Sequence, residues 1–158
     1  MTFNLFVYGT LMSGFRANSM LGDVLPMKAS ISGRLYHYTC YPIVVLDKDP
    51  SYIEGSLDYY KDVEIQEHYP VPDQYEPKHP IIGELYHLPL DKEVISRLDF
   101  YEGFTGSEST YYKRTLVPVK TLGAVERAWV YNMAALPYGV IPVYDGDWRK
   151  FLENQTNV

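Results

Sequence analysis

The alternation of apolar and polar positions along this chain predicts a protein built mainly of short strands. The first, residues 4–8, is an almost continuous apolar run, which is typical of a strand covered on both faces. The pattern G-x-L-Y-H occurs twice, and we interpret the copies as two similar strands in which glycine admits a close neighbour. The other predicted strands are residues 27–46, as two strands broken at Tyr41 and Pro42, residues 53–60, and residues 111–121 and 126–131, a hairpin around Gly123 and Ala124.

The clearest helical pattern covers residues 91–101. Apolar side chains from Val94 to Tyr101 recur at the i, i+1, i+4, i+7 spacing of one helix face. Asp91 can cap the N-terminus of this helix, and Gly103 can end it. Two brief helical segments are also predicted, at residues 18–21 and 147–152.

The segment from about residue 51 to residue 80 departs from this pattern. Prolines and charged side chains crowd the part between Tyr60 and Pro80, so we expect a surface excursion without regular structure there. In the whole chain, about six or seven short strands stand against one clear helix, and no regular crossover helices separate them. This arrangement disfavours a doubly wound parallel sheet. We predict a single, mostly antiparallel, barrel-like α+β domain over residues 1–158.

Charge and hydropathy narrow the class of partner. The 158 residues carry 14 basic and 20 acidic side chains, a net charge of −6, and no basic run is longer than Arg149 and Lys150. Binding to polyanions relies on clustered cations, so nucleic acid and anionic membranes are disfavoured as partners. No apolar run approaches the roughly 18 residues of a membrane span, and residues 1–8 lack the zones of a signal peptide. A cytoplasmic protein is therefore expected.

Several familiar chemistries are not expected from this sequence. The single cysteine, Cys40, excludes an internal disulfide and a thiolate metal cluster, and we expect it to be a packed side chain. The 4 histidines lack the spacing of a helical zinc site, and neither a G-x-S-x-G elbow nor a P-loop is present. The 16 tyrosines outnumber the 6 phenylalanines, and because many fall in predicted strands, we assign most of them to barrel packing.

Glu102 is the first candidate for chemistry. Val94, Leu98 and Glu102 are four residues apart, so the carboxylate continues the apolar stripe of the helix instead of pointing to water. It also lies at the helix C-terminus, where the macrodipole is negative. Both effects disfavour the ionised form, so we expect a raised pKa, as a general base or acid near neutral pH requires. The alternative is a frayed last turn with Glu102 in solvent.

Two further candidate sites each have two interpretations. The loop after the first strand, Tyr8, Gly9, Thr10 and Leu11, can present backbone N–H groups to an anion or oxyanion, or can be a simple turn. Arg114 can pair with a substrate carboxylate, or can form a salt bridge at the rim of the barrel.

Short motifs follow one another along nearly the whole chain. They are F-V-Y-G-T-L at residues 6–11, G-E-L-Y at 83–86, L-D-F-Y-E-G at 98–103, Y-K-R at 112–114 with Val117 and Val119, A-W-V-Y at 128–131 and G-D-W at 146–148. In this order they resemble the motifs of the γ-glutamylcyclotransferase-like superfamily. Within it, the chain is similar to the γ-glutamylamine cyclotransferases and the avirulence-induced-gene-like proteins.

The resemblance implies a small, mixed β-barrel flanked by one main helix and short helices. It also implies a cofactor-free reaction in which a γ-glutamyl amine or γ-glutamyl amino acid cyclises to 5-oxoproline and releases an amine. The glutamate of the pattern L-D-x-x-E-G, here Glu102, would be catalytic, and the loop from Tyr8 to Leu11 would hold the glutamyl group. Tyr138 is the nearest match to a tyrosine that contacts substrate in some members.

The residues alone leave two other functions open. One is a non-enzymatic, small-molecule-binding barrel that uses the same cavity. The other is a stress-related interaction module in which the excursion at residues 51–80 is the recognition element. Shorter relatives pass almost directly to the G-E-L-Y strand, so the excursion would either roof the cavity and select the leaving group or decorate the surface.

Overall fold

The fold is described by a computed structural model covering residues 1–106 and 111–156. The strands are β1 (Thr2–Val7), β2 (Met27–Tyr38), β3 (Tyr41–Leu46), β4 (Ile53–Glu54), β5 (Pro80–Pro89), β6 (Tyr112–Thr121), β7 (Val125–Met133) and β8 (Ile141–Pro142). The helices are a short 3-10 helix (Arg16–Leu21), α1 (Tyr59–His68), α2 (Lys92–Glu102) and α3 (Trp148–Thr156).

Five strands form a closed, mixed barrel. The order is β2-β5-β1-β7-β6, and β6 pairs again with β2 to close the circle. Only the β1–β7 pair of this barrel is parallel, while the other pairs are antiparallel. The predicted α+β barrel is therefore confirmed. β3, β4 and β8 extend the sheet outside the closed part.

β1 is covered on both faces, as its almost continuous apolar sequence predicts. It sits between β5 and β7, and every residue from Phe3 to Val7 is buried. Gly83 of β5 permits this packing, since a Cβ atom there would lie 2.2 Å from the carbonyl oxygen of Val7. The two strands of the G-x-L-Y-H pattern, β2 and β5, are direct neighbours.

α2 has the start and the end that the sequence predicts. The Asp91 side chain accepts hydrogen bonds from the backbone N–H groups of Glu93 and Val94, which caps the helix. Gly103 ends it with a left-handed φ of 77°. This C-terminal glycine fixes where Glu102 stands, at the last helical position.

α1 corrects the prediction for residues 53–80. β4 has two residues instead of the predicted strand, and Asp58 then caps a helix where we expected irregular chain. The buried face of α1 follows the i, i+3, i+4, i+7 spacing, but two of its four buried residues, Asp62 and Gln66, are polar. A search for apolar periodicity therefore misses this helix.

Two smaller expectations also need correction. The break between β2 and β3 falls at Thr39 and Cys40, before Tyr41 and Pro42, and Thr39 takes a positive φ of 53° there. Cys40 is exposed in this turn and is not a packed side chain. Within the described parts of the chain, no helix combines the length and the apolar character needed to cross a membrane.

Candidate active site

A cavity of about 440 Å³ opens where β1 and α2 end. The starts of β3 and β6 and the end of β7 complete its wall. Its described lining is Phe6, Val7, Tyr8, Gly9, Thr10, Leu11, Tyr41, Pro42, Ile43, Phe100, Tyr101, Glu102, Gly103, Tyr112, Tyr131, Asn132 and Met133. The topology thus brings together the two segments that the sequence selected, the Tyr8–Leu11 loop and Glu102.

Glu102 is the only acidic residue in this lining. Burial raises the pKa of its carboxyl group from the ordinary 4.5 to about 7. Within residues 1–106 and 111–156, no hydrogen bond or ion pair reaches this carboxylate. A carboxyl group with a pKa near 7 is half ionised at neutral pH and can both accept and donate a proton.

The loop after β1, residues 8–11, lines the same cavity. Met12 N–H donates to the carbonyl oxygen of Gly9 over 3.0 Å, which closes a tight turn. The N–H groups of Gly9, Thr10 and Leu11 have no backbone acceptor within the described chain, and all three residues line the cavity. Such N–H groups are suited to an anionic oxygen.

Glycine is required at the start of this turn. A Cβ atom on Gly9 would lie 2.4 Å from Cγ of Pro42, a neighbour on the cavity wall. The backbone of the loop therefore approaches β3 more closely than any other residue type allows.

A carboxylate that the sequence reasoning missed holds the other end of the loop. Glu84 of β5 accepts hydrogen bonds from Ser13 N–H over 2.6 Å and from Ser13 Oγ over 2.5 Å. Asn18 donates to the carbonyl oxygen of Leu11 over 2.8 Å. These contacts anchor the segment that follows the free N–H groups. The sequence signal for this role was the acidic residue of the G-E-L-Y motif, Glu84, within a predicted strand.

Tyr8 is fixed in the cavity wall as a hydrogen-bond donor. Its hydroxyl group donates to the carbonyl oxygen of Tyr131 over 2.6 Å. Burial raises the pKa of the Tyr8 phenol well above 10.0, and the nearby Glu102 carboxylate raises it further. Tyr8 therefore stays protonated and shapes the cavity without taking part in proton transfer at neutral pH.

Arg114 does not reach the cavity, which corrects one of its two interpretations. The guanidinium is fully buried and lies 3.0 Å from Asp62 Oδ2 and 3.0 Å from Asp99 Oδ1. It also donates to the carbonyl oxygen of Ser56 over 2.7 Å. Four aromatic rings surround it, with centroids at 4.8 to 5.5 Å. Arg114 is thus a buried, ion-paired cation that lies outside the described lining of the cavity.

Tyr138 also lies outside the described cavity lining. Its side chain is 100% exposed, on the chain between β7 and β8. The structure does not bring it to Glu102. Tyr138 was selected by a loose alignment, which does not indicate where its side chain lies relative to the cavity.

The mouth of the cavity contains aromatic residues to which the sequence reasoning gave no role in the site. Tyr101, predicted to pack on the apolar face of α2, is 46% exposed, and its hydroxyl lies 2.7 Å from Thr10 Oγ1. Phe100 is 89% exposed beside it. Their signal was their position, immediately before the candidate glutamate.

The excursion at residues 51–80 contributes nothing to the described cavity lining. Its helix, α1, packs inward: Gln66 accepts a hydrogen bond from Asn4 N–H over 2.9 Å, and Asp62 pairs with Arg114. α1 is thus part of the support of the barrel, on the side of β1 and β6, and the described excursion does not roof the cavity.

The closed barrel thus has a cavity whose described lining contains one carboxyl group, with a pKa of about 7, and a turn whose N–H groups have no backbone acceptor in the described chain. The model of the family described as gamma-glutamyl cyclotransferase, AIG2-like, matches residues 5–78 and 56–150. The chain belongs to this family. No curated protein sequence matches it.

Solved structures show the same fold at low sequence identity. YkqA from Bacillus subtilis is 21% identical with a TM-score of 0.65, and the match covers 100% of this chain but 44% of that one, so this chain spans less than half of it. An AIG2-like protein from Mus musculus is 18% identical with a TM-score of 0.60, covering 93% and 88%. The uncharacterized protein PH0828 from Pyrococcus horikoshii is 18% identical with a TM-score of 0.57, covering 99% and 98%.

Proposed function

We propose that this protein is a cyclotransferase that converts a γ-glutamyl amine or γ-glutamyl amino acid to 5-oxoproline and a free amine. The observation that carries the proposal is the Glu102 carboxyl group, whose pKa of about 7 is raised by burial in a cavity that it shares with unpaired N–H groups. Membership of the gamma-glutamyl cyclotransferase, AIG2-like family supports the reaction type. The proposed setting is the cytoplasm, with no cofactor and no nucleic-acid or membrane partner.

The chemistry of the substrate explains why one titratable side chain suffices. A γ-glutamyl amide carries its own nucleophile, the α-amino group, and its own electrophile, the γ-carbonyl carbon. Holding the two together makes the reaction intramolecular, which is worth a large effective concentration. The protein then has to supply proton transfer and stabilisation of negative charge.

Glu102 is assigned both proton transfers. Its carboxylate takes one proton from the α-ammonium group, and the resulting amine attacks the γ-carbonyl carbon to form the lactam C–N bond. The Glu102 carboxyl group then returns this proton to the nitrogen of the departing amine as the original C–N bond breaks. On lactam formation the attacking nitrogen gives up a further proton to the Glu102 carboxylate, which passes it to the released amine. The amine leaves in its ammonium form, 5-oxoproline keeps one N–H, and Glu102 returns to its starting state.

The loop is assigned the stabilisation of negative charge on the substrate. The N–H groups of Gly9, Thr10 and Leu11 bind the γ-carbonyl oxygen as it becomes an oxyanion, or the carboxylate of the glutamyl group. Both roles suit a turn that Gly9 and Glu84 hold rigid. Tyr8 supports the same wall through its bond to Tyr131.

The test is release of 5-oxoproline from a panel of γ-glutamyl amines and γ-glutamyl amino acids. We expect turnover by the native protein and a loss of roughly 10²- to 10⁴-fold in Glu102→Gln, the usual share of general acid–base catalysis. Glu93→Gln, at an exposed position in the first turn of the same helix, is the matched control and should keep full turnover. Normal turnover by Glu102→Gln would overturn the mechanism, and binding without product on every substrate would favour a binding barrel.

A further inference from the structure

Four aromatic side chains surround the mouth of the cavity and take no part in the proposed proton transfer. They are Tyr41, Phe100, Tyr101 and Tyr112, here called the aromatic rim. Each residue is well exposed, at 40%, 89%, 46% and 39% in that order. Exposed aromatic rings from three separate elements, β3, α2 and β6, thus converge on one opening.

Contacts with neighbours hold three of these rings in place. The Tyr112 ring packs against Gly103, with ring atoms 3.4 Å from where a Cβ atom would stand. The Tyr101 hydroxyl is bonded to Thr10, and the Tyr41 ring meets the Tyr38 ring edge to face at 5.5 Å. The rim is therefore a positioned surface, which lowers the entropy lost when it binds a ligand.

The described lining of the cavity carries no positive charge. No lysine, arginine or histidine occurs in the described lining, and the sequence of residues 107–110, Ser-Glu-Ser-Thr, contains no basic residue. Lys113 follows Tyr112, but its ammonium group pairs with Glu54 at 3.8 Å. A carboxylate on the leaving amine would therefore lose water at the rim without gaining a counter-ion.

The cavity has room for more than the glutamyl group. The nine non-hydrogen atoms of a γ-glutamyl group occupy at most about 270 Å³, taking roughly 30 Å³ for each, the share of a water molecule in the liquid. The cavity measures about 440 Å³. With Glu102 and the loop taken by the glutamyl half, the leaving amine is directed toward the aromatic rim.

We propose that the aromatic rim selects a leaving amine that carries an aryl group and lacks a carboxylate. This inference rests on the proposed cyclotransferase function and adds the class of the leaving group. Aromatic rings stack on one another with a favourable geometry beyond simple burial. An arylalkyl amine gains this stacking on the rim and brings no charge that the rim would leave unpaired.

The test compares turnover of matched substrates by measuring 5-oxoproline. γ-Glutamyl-phenethylamine and γ-glutamyl-phenylalanine share the ring and the linker but differ in one carboxylate. We expect kcat/KM to be at least about 10-fold higher for the phenethylamine derivative, since the added carboxylate loses hydration beside the rim without a cation in the described lining to replace it. γ-Glutamyl-ethylamine, which lacks the ring, should also be a poorer substrate than γ-glutamyl-phenethylamine.

Substitutions in the rim give the second measurement. Phe100→Ala and Tyr41→Ala should each lower kcat/KM for γ-glutamyl-phenethylamine roughly 2- to 10-fold, mainly through KM, the range measured for aromatic pairs. The ratio of kcat/KM for γ-glutamyl-phenethylamine to kcat/KM for γ-glutamyl-ethylamine should fall by the same factor. Because Phe100 is 89% exposed, its truncation spares the core. Tyr144→Ala, at a residue 96% exposed and outside the described cavity lining, is the matched control.

The other possible outcomes distinguish failure of the selection by the rim from failure of the proposed function. Equal turnover of the phenethylamine and phenylalanine derivatives, or a preference for a cationic amine such as γ-glutamyl-cadaverine, would overturn the selection by the rim and leave the cyclotransferase intact. Unchanged kinetics in both rim variants would do the same. No 5-oxoproline from any substrate would overturn the proposed function and this inference with it.

Discussion

Two carboxylates one turn apart on α2, Asp99 and Glu102, lie in opposite electrostatic environments. Asp99 points into the protein, where it accepts hydrogen bonds from Arg114 Nε over 3.0 Å, Tyr131 OH over 2.6 Å and Tyr59 OH over 2.8 Å. Glu102 points into the cavity, and no group in the described chain is bonded to its side chain. The same helix thus carries one compensated and one uncompensated carboxylate.

The difference separates what holds the fold from what can react. A buried carboxylate with several strong donors is locked in one state, and its partners are locked with it. Asp99 and its three partners also reach the cavity wall through Tyr131. The Tyr131 hydroxyl donates to Asp99, and the Tyr131 carbonyl oxygen accepts a hydrogen bond from Tyr8. A rigid, charged cluster therefore supports a site whose own carboxylate is left free to exchange a proton.

Removing Arg114, the cation that pairs with Asp99, should have the largest effect on stability. Arg114→Met leaves Asp62 and Asp99 buried without their cation, and breaking such a pair typically costs about 3–5 kcal/mol. Urea unfolding should show this loss in the free energy of unfolding. Arg97→Met, at an exposed residue of α2, is the control and should change stability by less than about 0.5 kcal/mol. A small effect of Arg114→Met would remove the distinction between the two carboxylates.

Replacing the uncompensated carboxylate of Glu102 by a neutral amide should stabilise the protein, but only at high pH. The pKa of Glu102 is raised from 4.5 in the unfolded chain to about 7, so the folded state binds more protons than the unfolded state between these values. Stability is therefore full below about pH 4.5 and falls as the pH rises through 7. Glu102→Gln avoids this loss.

The expected gain for Glu102→Gln is roughly 2–3 kcal/mol in the free energy of unfolding at pH 8, from the size of the pKa difference. At pH 4 the substitution should change stability little. Urea unfolding at the two pH values checks this. A destabilised Glu102→Gln at pH 8 would mean that the folded protein stabilises the charged form.

The smallest effect is expected at the link between the two regions. Tyr8→Phe removes the hydrogen bond from the Tyr8 hydroxyl to the carbonyl oxygen of Tyr131, which should lower the free energy of unfolding by about 1 kcal/mol. Tyr144→Phe changes an exposed hydroxyl and should have no effect on urea unfolding. Equal midpoints for the two variants would show that the bond does not tie the regions together.

The parts of the fold that the sequence predicts are those coded by neighbours along the chain. The caps and the apolar stripe of α2 lie within a dozen residues, so the position of Glu102 at its end could be predicted. α1 could not, because the cation that pairs with its buried Asp62 is Arg114, which is 52 residues away in sequence and becomes a neighbour on folding. The structural role of Arg114 could not be predicted for the same reason, because its partner Asp62 is distant in sequence.

The candidate site follows the same rule. Glu102 and the loop from Tyr8 to Leu11 were selected from local pattern, and the topology then placed both in one cavity. Tyr138 was selected by alignment without a local signal, and it lies outside the described lining. The aromatic rim depends on where β3, α2 and β6 converge, which no local pattern contains.

The most direct test of the central statement, that Glu102 is an uncompensated carboxylate poised near neutral pH, is a carbon-13 NMR titration of its side-chain carboxyl group in the free protein. The resonance is assigned by its absence from Glu102→Gln. We predict a pKa of about 7, matching the acidic limb of the pH profile of kcat/KM for a γ-glutamyl amine. A pKa near 4.5, the ordinary value for glutamate, would contradict the account.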